Sequence, residues 1–278
     1  MLPPDYIVRI SLIRDEETLI ELNPPVWRRF KISSAVNLDL MVDKIISPIM
    51  GWERNYHTYY FKHDGKYYVQ QDSQASDAVN IGSNEILKDK TLLKPEDAVI
   101  GDLLKKEGDK CVYNYDLGDN FFHVLELETI VPGDESDGKV IIMGGELRCP
   151  NEDGDGSANY QTEILDHLLK KRENLKDDTV CRKFAWDCFK RRGALNVNGS
   201  FRPEEFDIEE HRIALAKALR DRNSTRNTTK TFSAGRTSHP LPLSYAKLGQ
   251  KHIITKKQDD RFDHIGGYIT MVSSMLLL

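Results

Sequence analysis

The chain has 278 residues, 39% of them hydrophobic and 30% charged. That suffices for one large or two small folded units and argues against global disorder. The net charge of −5 is unevenly divided. Residues 222–257 carry eight basic and no acidic side chains, so this segment is +8 and the rest of the chain is −13. An acidic body repels phosphate, which leaves nucleic-acid contact to the basic segment alone.

The first residues, MLPPD, lack the basic start and apolar run of a secretory signal. YIVRISLI at 6–13 alternates and reads as a strand. PPVWRRFKIS at 24–33 reads as a second, with Val26, Arg28, Phe30 and Ile32 on one face. An arginine in an apolar face calls for a carboxylate partner or an exit to solvent. Asn37 caps a predicted helix with a stripe of Leu38, Val42, Ile45, Ile46 and Ile49; Pro48 distorts its last turn and Gly51 ends it. Asp64-Gly65, between two runs rich in β-formers, predicts a two-residue hairpin. Residues 71–94 read as a loop, and Asp97 caps a short helix closed by Gly108.

KCVYNY at 110–115 and FFHVLELETIV at 121–131 read as two strands joined by DLGDN. KVIIM at 139–143 predicts a third strand, before the acidic loop GGELRCPNEDGDGSANY. Helical patterns follow to about residue 221: Ile164, Leu165, Leu168 and Leu169; Val180, Phe184, Trp186 and Phe189; then Ile208, Ile213, Leu215 and Leu219. The sum is an α+β fold in which a small mixed or antiparallel sheet with hairpins packs on helices, followed by C-terminal helices. Residues 1–221 form the predicted domain. Residues 222–278 are read as a basic, Ser/Thr-rich linker and apolar tail, disordered or loosely docked. The terminal IGGYITMVSSMLLL is too short to span a bilayer, and no membrane association is expected. Cys111, Cys149, Cys181 and Cys188 form no CxxC pair. Reduced thiols are expected, in an intracellular protein of the cytoplasm or nucleus. Cys181 and Cys188 are spaced to share one side of a helix.

The polar residues then stand out. His57 shares a predicted face with Tyr59 and Phe61, and His123 one with Phe121, Leu125 and Leu127. Asp116 and Asp119 sit at the tip of the hairpin, and Glu146, Cys149, Glu152 and Asp153 in the acidic loop. With Arg28 these nine residues make the candidate polar site. His57, Asp116, His123 and Glu146 are its candidate ligands for a divalent metal. The alternative is a structural network built around Arg28. Asn151, Asp153 and Asp155 also have the spacing of a calcium loop, with Gly156 in sixth place, but the twelfth position is Thr162 and Glu163 comes one residue late. Walker, dinucleotide-binding, nucleophile-elbow and zinc-peptidase motifs are absent.

Several of these segments occur together and in order: PPVWRR, MGW, NYH, YDLGDNFFH, GELRCPNED and FRPEEFDIEEH. In that respect the chain resembles the plasmid pRiA4b ORF-3-like family, also called insertion-element passenger TnpR-like, over about residues 5–220. The resemblance implies an α+β fold with a small sheet on helices and brings no established biochemical activity. It maps onto Trp27, Arg28, Arg29, Gly51, Trp52, His57, Asp116, Gly118, Asp119, His123, Gly145, Glu146, Cys149, Pro150, Glu152 and Asp153. Tyr59, Phe121 and Gly154 stand where the family often has histidine, tryptophan and cysteine, which weakens any zinc site built on the missing histidine and thiol. No serine-resolvase site is present.

Three functions are compatible with these features. The first is a non-enzymatic binding module for a protein or nucleic-acid partner, with a groove of Trp27, Arg29, Trp52 and Tyr59. The second is a metal-dependent enzyme using the His/Asp/Glu cluster. The third is a mobile-element-associated DNA-binding protein acting through the basic tail, which would contact an acidic partner with Phe232 and Tyr245 as stacking residues.

Overall fold

The computed structural model describes residues 2–71, 81–82, 84–166, 168–169 and 203–221. Eight strands form one sheet: β1 (Asp5–Leu12), β2 (Trp27–Ser33), β3 (Tyr59–His63), β4 (Lys66–Val69), β5 (Leu92–Leu93), β6 (Lys110–Tyr115), β7 (Phe121–Val131) and β8 (Ile141–Glu146). The spatial order is β5-β4-β3-β6-β7-β1-β2-β8. All pairings are antiparallel except that of β4 with β5. The fold is α+β, and its sheet is wider than the sequence pattern suggests.

Alternation decides which face is core. Tyr6, Val8, Ile10 and Leu12 of β1 are buried, as are Phe30 and Ile32 of β2 and Leu125 and Leu127 of β7. A helical segment runs from Leu38–Met41 through a wide turn at Val42–Ile46 to Ser47–Met50, and sets Met41, Ile45, Ile46 and Ile49 into the same core. Asn37 caps it by accepting from the amides of Asp39 and Leu40. Pro48 is accommodated by the wide turn: with no N–H, and with a ring that crowds the carbonyl four residues back, it disfavours the regular α ladder. Gly51 then ends the segment at φ +90°, a conformation that L side chains rarely adopt. The expected Asp64-Gly65 turn joins β3 to β4, with both residues at positive φ.

Four expectations are corrected. Residues 71–94 contain β5, a two-residue strand too short to show alternation. The third predicted strand lies at Ile141–Glu146, not 139–143, so Glu146 ends a strand and is not loop. The predicted cap at Asp97 falls on a 3-10 turn, Pro95–Asp97, and the short helix Ile100–Leu103 follows it. In the last helix, Ile208–Arg220, Leu215, Ala216, Ala218 and Leu219 are buried while Ile213 is exposed. Residues two apart point to different sides of a helix, so Ile213 and Leu215 cannot share the buried stripe. The predicted helix around Val180 and Phe189, the Cys181/Cys188 pair and the whole of 222–278 lie outside the described residues. No helix among the described residues is long and apolar enough to cross a membrane.

Candidate functional site

Three loops meet at one end of the sheet. The first runs from the helix end at Gly51 to β3 and carries Trp52, Tyr56 and His57. The second is the β6–β7 connection, residues 116–120. The third follows β8 and carries Glu152 and Asp153. Asp116 fixes the second loop locally: its own φ is +63°, and its Oδ1 accepts from the amides of Gly118 (2.8 Å) and Asp119 (3.1 Å). The third loop is clamped onto the second. The Asp155 amide donates to Asp119 Oδ2 (3.0 Å), and the Phe122 amide donates to the Ser157 hydroxyl (2.9 Å). Gly156, at φ +81°, passes so close that an added Cβ would lie 2.0 Å from the Asp119 carbonyl oxygen.

The result is a buried cluster around one imidazole nitrogen. His57 Nε2 lies 3.3 Å from Asp116 Oδ2, 3.2 Å from Asp153 Oδ1 and 3.8 Å from Glu152 Oε2. His57, Asp116 and Glu152 are buried, and Asp153 faces solvent with 31% of its side chain exposed. One ligand atom from each of His57, Asp116 and Asp153 falls within a 4.8 Å span, and this is the one such group among the described residues. Glu152 is held from behind: its Oε1 accepts from the Glu53 amide (2.7 Å), and the Tyr115 hydroxyl lies 3.1 and 3.0 Å from its two oxygens. Tyr115 stacks on Trp52 (4.4 Å, 17°), and Trp52 Nε1 donates to the Pro150 carbonyl. Burial pushes the Glu152 carboxyl up to about 8, against the lowering effect of His57 and the hydrogen bonds it accepts. Burial likewise raises Asp119.

The other candidates are placed elsewhere. His123 points into the core as its strand position implies, but Trp52 packs edge-on against it (5.1 Å, 82°) and it does not join the cluster. Its Nδ1 lies 3.2 Å from the Tyr113 carbonyl, and burial lowers its pKa to about 3, so it is neutral. Glu146 is exposed and accepts from Trp27 Nε1 on the sheet's other face, and it is not a member of the His57 group. Arg28 is fully buried, yet it neither exits to solvent nor forms an ion pair with a carboxylate among the described residues. Its guanidinium donates to the carbonyls of Ile49 (3.0 Å), Trp27 (2.7 Å) and Glu146 (3.0 Å) and to Cys149 Sγ (3.4 Å), with the Phe206 ring 4.2 Å away. Cys149 is thus a partner of Arg28, and burial raises its thiol.

The four groove residues do not line a common surface. Trp52 and Tyr59 are buried in the core, where the Tyr59 hydroxyl donates to Asp39 (2.8 Å). Trp27 and Arg29 lie on the opposite face of β2, Arg29 bonded to Glu128 (2.5 Å). In the segment with calcium-loop spacing, Asp153 Oδ1 faces His57 at 3.2 Å. The Asp155 amide is tied to Asp119, and the Thr162 hydroxyl is bonded to the Ala158 and Asn159 carbonyls of its own helical segment. At two positions where the family pattern is broken, the Tyr59 hydroxyl is bonded to Asp39, and a Cβ added at Gly154 would lie 2.7 Å from the Asn151 carbonyl oxygen. Sequence reasoning passed over Tyr115, although it stands in YDLGDNFFH; its strand position beside the turn was the available signal.

These features define an α+β protein with a His–carboxylate cluster where three loops converge. The sequence model described as "Plasmid pRiA4b ORF-3-like protein" matches residues 16–210, and the chain belongs to this family. No curated protein matches. Among solved structures, the chain is similar to a protein of unknown function from Methanosarcina mazei Go1, at 21% identity and a TM-score of 0.48, over 76% of this chain and 97% of that one.

Proposed function

We propose that the protein is a binding module for a divalent cation of the first transition row, held by His57, Asp116 and Asp153. One observation carries this reading: three carboxylate oxygens lie within 3.8 Å of a single imidazole nitrogen in a largely buried site. A proton on that nitrogen can serve one of them at a time. A cation serves all of them at once. Metal bonds of about 2.0–2.1 Å in tetrahedral geometry give ligand–ligand edges of about 3.3–3.4 Å. The two edges at His57 are 3.3 and 3.2 Å. An ordinary charge-assisted N–H···O bond is shorter, at about 2.7–2.9 Å.

A second reading adds chemistry. In the metal-free chain Glu152 holds a proton at neutral pH beside the cation position, and a carboxyl that can release and regain a proton there is the kind of acid–base group used in metal-assisted hydrolysis. Both readings start from binding, and binding is tested first. Chelator-treated protein at a free metal concentration a hundredfold above Kd should gain about 2.7 kcal/mol, a rise of about 5–10 °C in Tm. Zinc and manganese are the cations to try. The gain should vanish in His57→Ala. A Tm indifferent to metal and to chelator contradicts the proposal.

A further inference from the structure

We propose that Glu152 is a fourth ligand of this cation and that Tyr115 is the residue that positions it. The inference rests on the cation-binding reading above. The two oxygens of Glu152 are not equivalent. Oε1 is fixed by the Glu53 amide at 2.7 Å. Oε2 faces His57 Nε2 at 3.8 Å, the nitrogen that Asp116 and Asp153 also approach. The Tyr115 hydroxyl is nearly equidistant from both oxygens but has one proton to give. When the cation displaces the carboxyl proton, Oε2 keeps at least one lone pair for the metal whichever oxygen takes the tyrosine proton, and Oε2 is the oxygen beside the cation position. An approach of about half an ångström brings it onto a tetrahedral edge.

The support behind Glu152 is rigid. Tyr115 is buried and stacked on Trp52, whose indole N–H is tied to Pro150. Tyr115 thus fixes where the Glu152 carboxylate sits, as hydrogen-bonding partners behind metal ligands commonly do. The set of one imidazole nitrogen and three carboxylate oxygens suits zinc, manganese or ferrous iron. Calcium and magnesium are usually held by oxygen alone.

Titration of the full-length chain with zinc, manganese and, as a spectroscopic probe, cobalt(II) tests this. Wild type should bind one equivalent. Glu152→Gln, which keeps the shape but donates poorly to metal, should bind about tenfold more weakly or worse and change the visible cobalt spectrum. Tyr115→Phe should also lose affinity, by up to about tenfold, but leave the shape of the cobalt spectrum as it is, because the ligands are unchanged. If the glutamine disturbs the loop, Glu152→Asp withdraws the carboxylate by one methylene and should show the same loss. Equal affinity and identical cobalt spectra in wild type and both Glu152 variants overturn the inference and leave the three-residue site standing. A wild-type chain that binds none of the three cations overturns both.

Discussion

Replacing Glu152 by glutamine tests the electrostatics of the metal-free cluster without any assumption about activity. Burial raises the Glu152 carboxyl to about 8 in the folded chain, whereas in the unfolded chain it ionises near its ordinary 4.5. Between those values the native state retains a proton that the unfolded state has released. Stability therefore falls as pH rises through the window from about 4.5 to about 8. At about 1.4 kcal/mol per unit, the ceiling on this loss is about 5 kcal/mol. Local relaxation and water penetration reduce the expected loss to about 2–3 kcal/mol by pH 8. Glutamine has no proton to lose and keeps an oxygen for the Glu53 amide. Denaturant unfolding in the presence of chelator, at pH 5, 6.5 and 8, should show Glu152→Gln gaining on wild type by about 2–3 kcal/mol across that range. Parallel stability profiles for the two proteins would refute the argument, because they would mean that Glu152 is already ionised at pH 5.

The other predictions concern the elements that build the site. Gly156→Ala forces a side chain against the Asp119 carbonyl oxygen at a positive φ; it should cost about 2–3 kcal/mol in unfolding experiments and weaken zinc binding by loosening the clamp between the two loops. Arg28→Met fills similar volume but removes the donors to three carbonyls, at a cost of about 2–4 kcal/mol. Carbonyls do not titrate, so that cost should be the same at pH 5 and pH 8. A cost that collapses at low pH would indicate a carboxylate partner for Arg28 instead.

How much of this was legible in the sequence depends on the range of the interaction. Strand alternation is a local signal, and it placed Arg28 and His123 on the core face without tertiary information. The Asp64-Gly65 turn and the Asn37 cap are likewise local and were readable. What surrounds a core residue is not local. Arg28 was expected to need a carboxylate or solvent; it instead meets the Ile49 carbonyl near the end of a helical segment, where orphan acceptors collect and a cation is favoured. His57 and His123 were expected to converge, but Trp52 comes from a separate loop and stands against His123. Glu146 was taken for a loop residue because the end of β8 is not marked by alternation: Met143-Gly144-Gly145 gives no periodic signal, and the register shifts between Arg29 and Phe30 of β2. Of the four candidate metal ligands, His57 and Asp116 lie in the cluster, and the third position belongs to Asp153.

The central claim is that His57, Asp116 and Asp153 hold one cation between them. Diffraction from crystals grown with zinc or manganese, recorded at the metal's absorption edge, tests it most directly. The account predicts one strong anomalous peak per chain within bonding distance of His57 Nε2, Asp116 Oδ2 and Asp153 Oδ1. No peak there at saturating metal, or a peak on other residues while these three stay as they are, would contradict it.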